Sequence, residues 1–77
     1  MEKSIHSNDY LRLIAWLKAG RLARGYSMRD LAVMINEPHS FIGKVETAER
    51  RLDVAEYVQY CHALGLEPCE GLKLFKK

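Results

Sequence analysis

His39-Ser40 and Gly43-Lys44 stand close together near the middle of a 77-residue chain. An imidazole and an ammonium group donate hydrogen bonds, and a hydroxyl donates or accepts. Such a set suits a partner rich in acceptors. The major-groove edge of guanine offers N7 and O6 to His39, and Ser40 can pair with either kind of base-edge group. Lys44 has the length to reach guanine or a phosphate. Gly43 has no side chain and permits close approach to a sugar or a thymine methyl. Arg29, Arg50 and Arg51 are suited to phosphate, and Ser27 and Thr47 add neutral hydrogen bonds. Bond-breaking chemistry has no comparable support. No nucleophile stands beside a base, and neither a Gly-rich phosphate loop nor a His-Glu metal motif occurs. Cys61, His62 and Cys69 are near one another, but adjacent Cys and His on a helix point apart, and no second pair has zinc spacing. The chain reads as a binding protein with no catalytic residues, metal, cofactor or small-molecule ligand.

Two short helices are needed to hold these side chains. Ser27 is suited to cap the first, since its hydroxyl can accept from a free amide of the first turn. Leu31, Ala32 and Ile35 then share one face. Asn36 follows where the chain must turn sharply, and Asn tolerates the left-handed conformation well. Pro38 blocks continuation of the first helix and suits the first turn of a second, over Pro38 to Glu46. Ile42 and Val45 point inward, leaving His39, Ser40, Gly43, Lys44 and Thr47 outside. A helix, a tight turn and a second helix with a polar outer face form a helix-turn-helix over about residues 27–46.

The remaining elements supply the core. The whole chain, 1–77, reads as one domain near the lower size limit for folding without metals or disulfides. Met1 to Ser7 is polar and expected to be loose. Asn8 or Asp9 can cap a first helix whose stripe is Tyr10, Leu13, Ile14 and Leu17. Trp16 flanks that stripe. Gly20 inside the helix implies close approach of another helix, and Gly25 ends it. After the motif, Thr47 to Leu52 is a linking loop. Asp53 and Glu56 form a variant capping box for a fourth helix with the stripe Val54, Tyr57, Val58, Cys61 and Leu64. Gly65 ends it, and Glu67-Pro68 opens a short fifth helix carrying Leu72 and Phe75. The expected class is all-α, five short helices around one small core.

Net charge is only +2, but its distribution is uneven. Lys18, Arg21, Arg24, Arg29, Lys44, Arg50 and Arg51 crowd the middle. Between Leu52 and Leu72 there is no Lys or Arg, while Asp53, Glu56, Glu67 and Glu70 are acidic. One end of the fold is therefore basic and the other acidic. No apolar run has membrane-spanning length and no signal peptide is visible, so a soluble cytoplasmic protein with reduced cysteines is expected.

Gly25-Tyr26-Ser27, Leu31-Ala32 and Ser40-Phe41-Ile42-Gly43-Lys44-Val45-Glu46 resemble the helix-turn-helix of the Cro/phage-repressor (Xre-type) family. Glu49-Arg50-Arg51-Leu52-Asp53 and Ala63-Leu64-Gly65-Leu66-Glu67-Pro68 also match its later helix junctions. The resemblance runs from about Leu13 to Leu74 and implies a lambda-repressor-like domain. It implies a sequence-specific DNA-binding transcriptional regulator, a repressor, acting as a homodimer on a two-fold symmetric operator. His39, Ser40, Gly43 and Lys44 then fall at base-contact positions. Ser27, Met28, Arg29, Thr47, Arg50 and Arg51 fall at phosphate positions. The family often has Gln where Met28 stands, and a turn glycine where Asn36 stands. Arg21 and Glu46 occupy positions that pair across the core, where each charge would otherwise be half-buried alone. Leu66, Cys69, Leu72 and Phe75 offer more apolar surface than one short helix covers, which places the dimer interface there. The alternative is a protein-binding adaptor or antitoxin-type module on the same fold. Acidic residues around exposed Tyr60, Leu66 and Phe75 would suit such a protein partner.

Overall fold

The computed structural model describes residues 7–75. Five helices follow in order: α1 Asn8–Ala23, α2 Met28–Met34, α3 His39–Glu46, α4 Val54–Leu64 and α5 Pro68–Leu72. No strand occurs among the described residues. The loose arm expected over Met1 to Ser7 lies outside the described residues, except for Ser7. Ser7 caps α1, its hydroxyl accepting from the Tyr10 amide at 3.2 Å. Neither Asn8 nor Asp9 is the cap. Both are already helical, because extended Ser7 aims its oxygen at the first turn one residue earlier.

The first four helices end in one way. Gly25, Asn36, Ala48 and Gly65 take φ between 60° and 74°, the left-handed region. In each case the next amide reaches back to the helix: Tyr26 to Arg21, Glu37 to Ala32, Glu49 to Lys44 and Leu66 to Cys61, at 2.8 to 3.2 Å. This double-bonded ending satisfies carbonyls that would otherwise be orphaned. Ala48 is the unexpected member. Its methyl is buried in the core, a packing gain that offsets the steric cost of its positive φ. The ending turns the chain sharply, so short helices can pack as a compact set.

Between α2 and α3 the structure differs from expectation by one residue. Pro38 is the cap of α3, with φ −60° and ψ 148°, and the helix begins at His39. The fixed proline φ fits an extended cap residue as well as a first helical one. Phe41 joins Ile42 and Val45 in the core, so α3 buries three side chains where the sequence reading assigned two.

α4 is rotated from the expected stripe. Tyr57, Tyr60, Cys61 and Leu64 face inward, whereas Val54 is 79% exposed and Val58 only half-buried. The spacing 57, 60, 61, 64 is as helical as the stripe expected, and tertiary packing selects it. Tyr60 is therefore fully buried, and the expectation that it was exposed is corrected. Its hydroxyl has no hydrogen-bond partner among the described residues, and burial raises its pKa above the ordinary tyrosine range.

Two glycines mark close approaches. A β-carbon on Gly20 would lie 2.8 Å from the Leu66 side chain. The neighbour is the loop between α4 and α5, not a helix as expected. A β-carbon on Gly71 would collide with the Tyr57 hydroxyl, and would lie 2.6 Å from the Trp16 ring and 2.9 Å from Leu13. Tyr57 in turn donates to the Pro68 carbonyl at 2.6 Å, fastening α5 to α4. Gly71→Ala should destabilise the domain by about 1–3 kcal/mol through overpacking. Urea unfolding of the variant checks this, and an unchanged midpoint would show that α5 can move away without cost.

Candidate nucleic-acid interface

Burial of Phe41, Ile42 and Val45 fixes the rotation of α3 about its own axis. His39, Ser40 and Lys44 are consequently exposed, and Gly43 is partly covered. The cover is Met28, whose sulfur would lie 3.8 Å from a β-carbon at Gly43. Met28 has no side-chain donor. Only its backbone amide, in the first turn of α2, could reach a phosphate.

The expected phosphate residues differ in what the fold leaves them. Ser27 accepts from the Asp30 amide at 3.0 Å, and its hydroxyl proton stays available. Its own amide donates to the Asp30 carboxylate at 2.9 Å, which closes the capping box. Arg29 and Arg51 are exposed. Thr47 has one hydroxyl proton and three nearby acceptors: the Gly43 and Lys44 carbonyls at 3.0 and 3.3 Å, and Glu49 at 2.7 Å. It closes the end of α3. Arg50 is the most heavily engaged. Its guanidinium donates to both Glu56 oxygens at 2.9 and 3.0 Å and to the Arg51 carbonyl at 3.2 Å. It also lies over the Phe41 ring, 4.7 Å from the centroid. Arg24, a member of the basic cluster, is packed against Gly65 at the end of α4, where the helix dipole favours a cation.

Arg21 is part of the scaffold. Its Nε and Nη2 donate to Glu46 at 2.6 and 3.1 Å, and its Nη1 donates to the Tyr26 carbonyl at 2.8 Å. The two side chains are only 7% and 3% exposed. The hydrogen bond to Glu46, more than its charge, raises the Arg21 pKa further. The pair ties the end of α1 to the last residue of α3.

The Arg50–Glu56 pair was not visible in the sequence, because it joins a loop to the next helix at no standard spacing. The spacing of Phe41, Ile42 and Val45 was the available sign that Phe41 is internal. Glu56 also accepts from the Asp53 amide at 3.0 Å. The Arg50 hydrogen bond, then the Asp53 amide, hold its carboxyl below the ordinary value of 4.5. A depressed carboxyl favours the folded state above the unfolded value, and that contribution is lost as pH falls through the folded value. Glu56→Gln should therefore flatten the loss of stability below about pH 4.5. Thermal unfolding across the acid range checks this, and an unchanged acid limb would contradict it.

The expected interface residues split. Leu72 and Phe75 are 55% and 41% exposed, and Cys69 is exposed. Leu66 is half-buried against Gly20 and serves its own core. Leu72 and Phe75 edge an apolar groove of about 200 Å³ with Tyr10, Leu52, Val54 and Tyr57. Cys61 and Cys69 are both free thiols. Among the described residues no three His, Cys, Asp or Glu side chains converge, and no helix is long and apolar enough to cross a membrane.

The fold and the exposed face of α3 define a helix-turn-helix domain. A helix-turn-helix family model matches residues 17–70. The chain belongs to this Xre-type helix-turn-helix family. It is similar to an XRE-family like protein from Pseudomonas syringae pv. tomato str. DC3000, at 41% identity and a TM-score of 0.84, over 91% of this chain and 87% of that one. It is also similar to the restriction-modification controller protein C.AhdI from Aeromonas hydrophila, at 29% identity and a TM-score of 0.76, over 90% of this chain and all of that one. No curated protein matches. These likenesses support a DNA-binding transcriptional regulator.

Proposed function

We propose that the chain is a sequence-specific repressor that binds double-stranded DNA as a homodimer, with α3 in the major groove. The observation that carries this reading is the outer face of α3. His39, Ser40 and Lys44 are exposed donors there, while the core side of the same helix is sealed by three buried side chains. Donors on a convex helix suit the acceptors of a groove floor. Arg29 and Arg51 would carry charge to the phosphates, with Ser27 donating one neutral hydrogen bond.

Dimerisation is supported by the apolar groove and by exposed Leu72 and Phe75 beside it. A two-fold pair joined there would hold its recognition helices about 34 Å apart, one turn of DNA. Occupancy of that length of DNA would exclude other proteins, which is the simplest route to repression. One neighbour's name, a restriction-modification controller, fits a regulatory role of this kind.

A protein-binding module is the second reading, and exposed Val33 and Met34 on α2 favour it. Burial of Tyr60 removes one of the residues that such a module would present to a partner. Selection from a random duplex pool separates the two. Enrichment of a duplex with two related half-sites about one turn apart is expected, and a pool that enriches nothing would favour the protein-binding reading. Sedimentation should give a dimer on that duplex. A monomer at high micromolar concentration, with and without DNA, would overturn the two-fold assembly.

A further inference from the structure

We propose that Arg50 is a positioning residue, a latch that orients the recognition helix through Phe41 and Glu56 and is not itself a phosphate ligand. The proposal rests on the DNA-binding reading above. Arg50 lies just beyond α3, a place where an arginine would ordinarily be assigned to the DNA backbone. Its geometry points elsewhere. Both ends of the guanidinium fork meet Glu56, at 2.9 and 3.0 Å, an arrangement that fixes direction as well as distance. The flat face of the same group lies over Phe41 of α3 at 4.7 Å. One side chain therefore touches the recognition helix with its face and the start of α4 with its edge.

Both partners are themselves fixed. Phe41 is buried in the core. Glu56 accepts from the Asp53 amide at 3.0 Å, and Asp53 accepts from the Glu56 amide at 2.8 Å. The loop between α3 and α4 is anchored again at Leu52, whose amide donates to the Tyr10 hydroxyl at 3.1 Å. Arg50 also donates to the Arg51 carbonyl at 3.2 Å, a further hydrogen bond that holds its guanidinium within the loop. Drawing Arg50 to a phosphate would break its bidentate pair. Leaving it in place keeps α3 in the register that geometry-dependent base contacts require.

Charge and geometry predict opposite signs for one variant. Glu56→Gln removes a negative charge, which by electrostatics alone should tighten DNA binding. The latch predicts weaker binding to a selected duplex. Arg50→Lys keeps the charge but loses the fork and its planar face. A phosphate ligand should survive that exchange largely intact, whereas a latch should not.

The experiment uses the full chain and a duplex enriched by the wild type from a random pool. Binding to that duplex and to a scrambled one is measured for Arg50→Lys, Glu56→Gln and the double variant, at a temperature where all are folded by circular dichroism. Each single variant should weaken the selected duplex by a similar factor, roughly three- to tenfold, and the double variant should be no worse, since both remove one interaction. Affinity for the scrambled duplex should not fall. Wild-type binding by Arg50→Lys, unchanged or tighter binding by Glu56→Gln, additive losses, or equal loss on both duplexes would each overturn the latch while leaving the DNA reading intact. A wild type that enriches no duplex would overturn the DNA reading, and the latch with it.

Discussion

Arg21→Ala should cost the domain about 3 kcal/mol of stability, and Glu46→Ala a similar amount, because each strands the other's charge in the interior. The pair is among the least exposed polar groups of the fold, at 7% and 3%. Glu46 accepts two hydrogen bonds from Arg21, and the Tyr26 carbonyl takes a third from the same guanidinium. Removing Arg21 leaves a carboxylate and a backbone carbonyl without these donors. Small domains have only about 5–15 kcal/mol in total, so the loss is a large fraction of it. The pair's net contribution is a separate quantity, because bringing both charges out of water is costly. A double exchange to apolar residues of similar volume, Arg21→Met with Glu46→Leu, should therefore be far less damaging than either alanine variant. Urea unfolding of the three variants checks both statements. Unchanged stability of Arg21→Ala together with lost DNA binding would move Arg21 from the scaffold to the interface.

The second large effect is expected at the proposed recognition face. His39→Ala and Lys44→Ala should each weaken a selected duplex by about 1–3 kcal/mol while sparing a scrambled one, since a base-edge hydrogen bond is lost only where the right base is present. Neither substitution should disturb folding. Both side chains are exposed on a helix held by Phe41, Ile42 and Val45 from the opposite side. Arg51→Ala should weaken both duplexes alike and lower the salt dependence, because a phosphate contact releases counterions but carries no sequence information. Titrations of the two duplexes at several salt concentrations separate these behaviours. Equal loss on both duplexes for His39→Ala and Lys44→Ala would place the sequence-reading surface elsewhere.

Local signals in the chain by itself determined that there are five helices and where several of them start or stop. Asp53 and Glu56 close the box at the start of α4, Gly25 and Gly65 end helices, and Asn36 turns the motif. These features act over three to five residues, the range over which caps and left-handed turns work. The polar set His39, Ser40 and Lys44 was legible for the same reason, since their spacing puts them off the apolar stripe of one short helix. The resemblance added the pairing of Arg21 with Glu46, which lie 25 residues apart and follow from no local spacing rule.

Tertiary structure alone decided which of two equally helical stripes α4 would bury. Packing turned Tyr60 inward and left Val54 in solvent, although Val54 and Tyr57 satisfy the same period. It also made Ala48 a left-handed helix end, because the buried methyl is favoured by a core that local propensity cannot foresee. The division among the basic residues arose in the same way. Arg21, Arg24 and Arg50 belong to one basic cluster in the chain, yet the fold sets them against Glu46, the end of α4, and Glu56 with Phe41. A side chain's charge belongs to its sequence, but the partner that engages it is chosen by where other helices bring theirs. That choice is made by packing between segments far apart in the chain, and no local period or spacing records it.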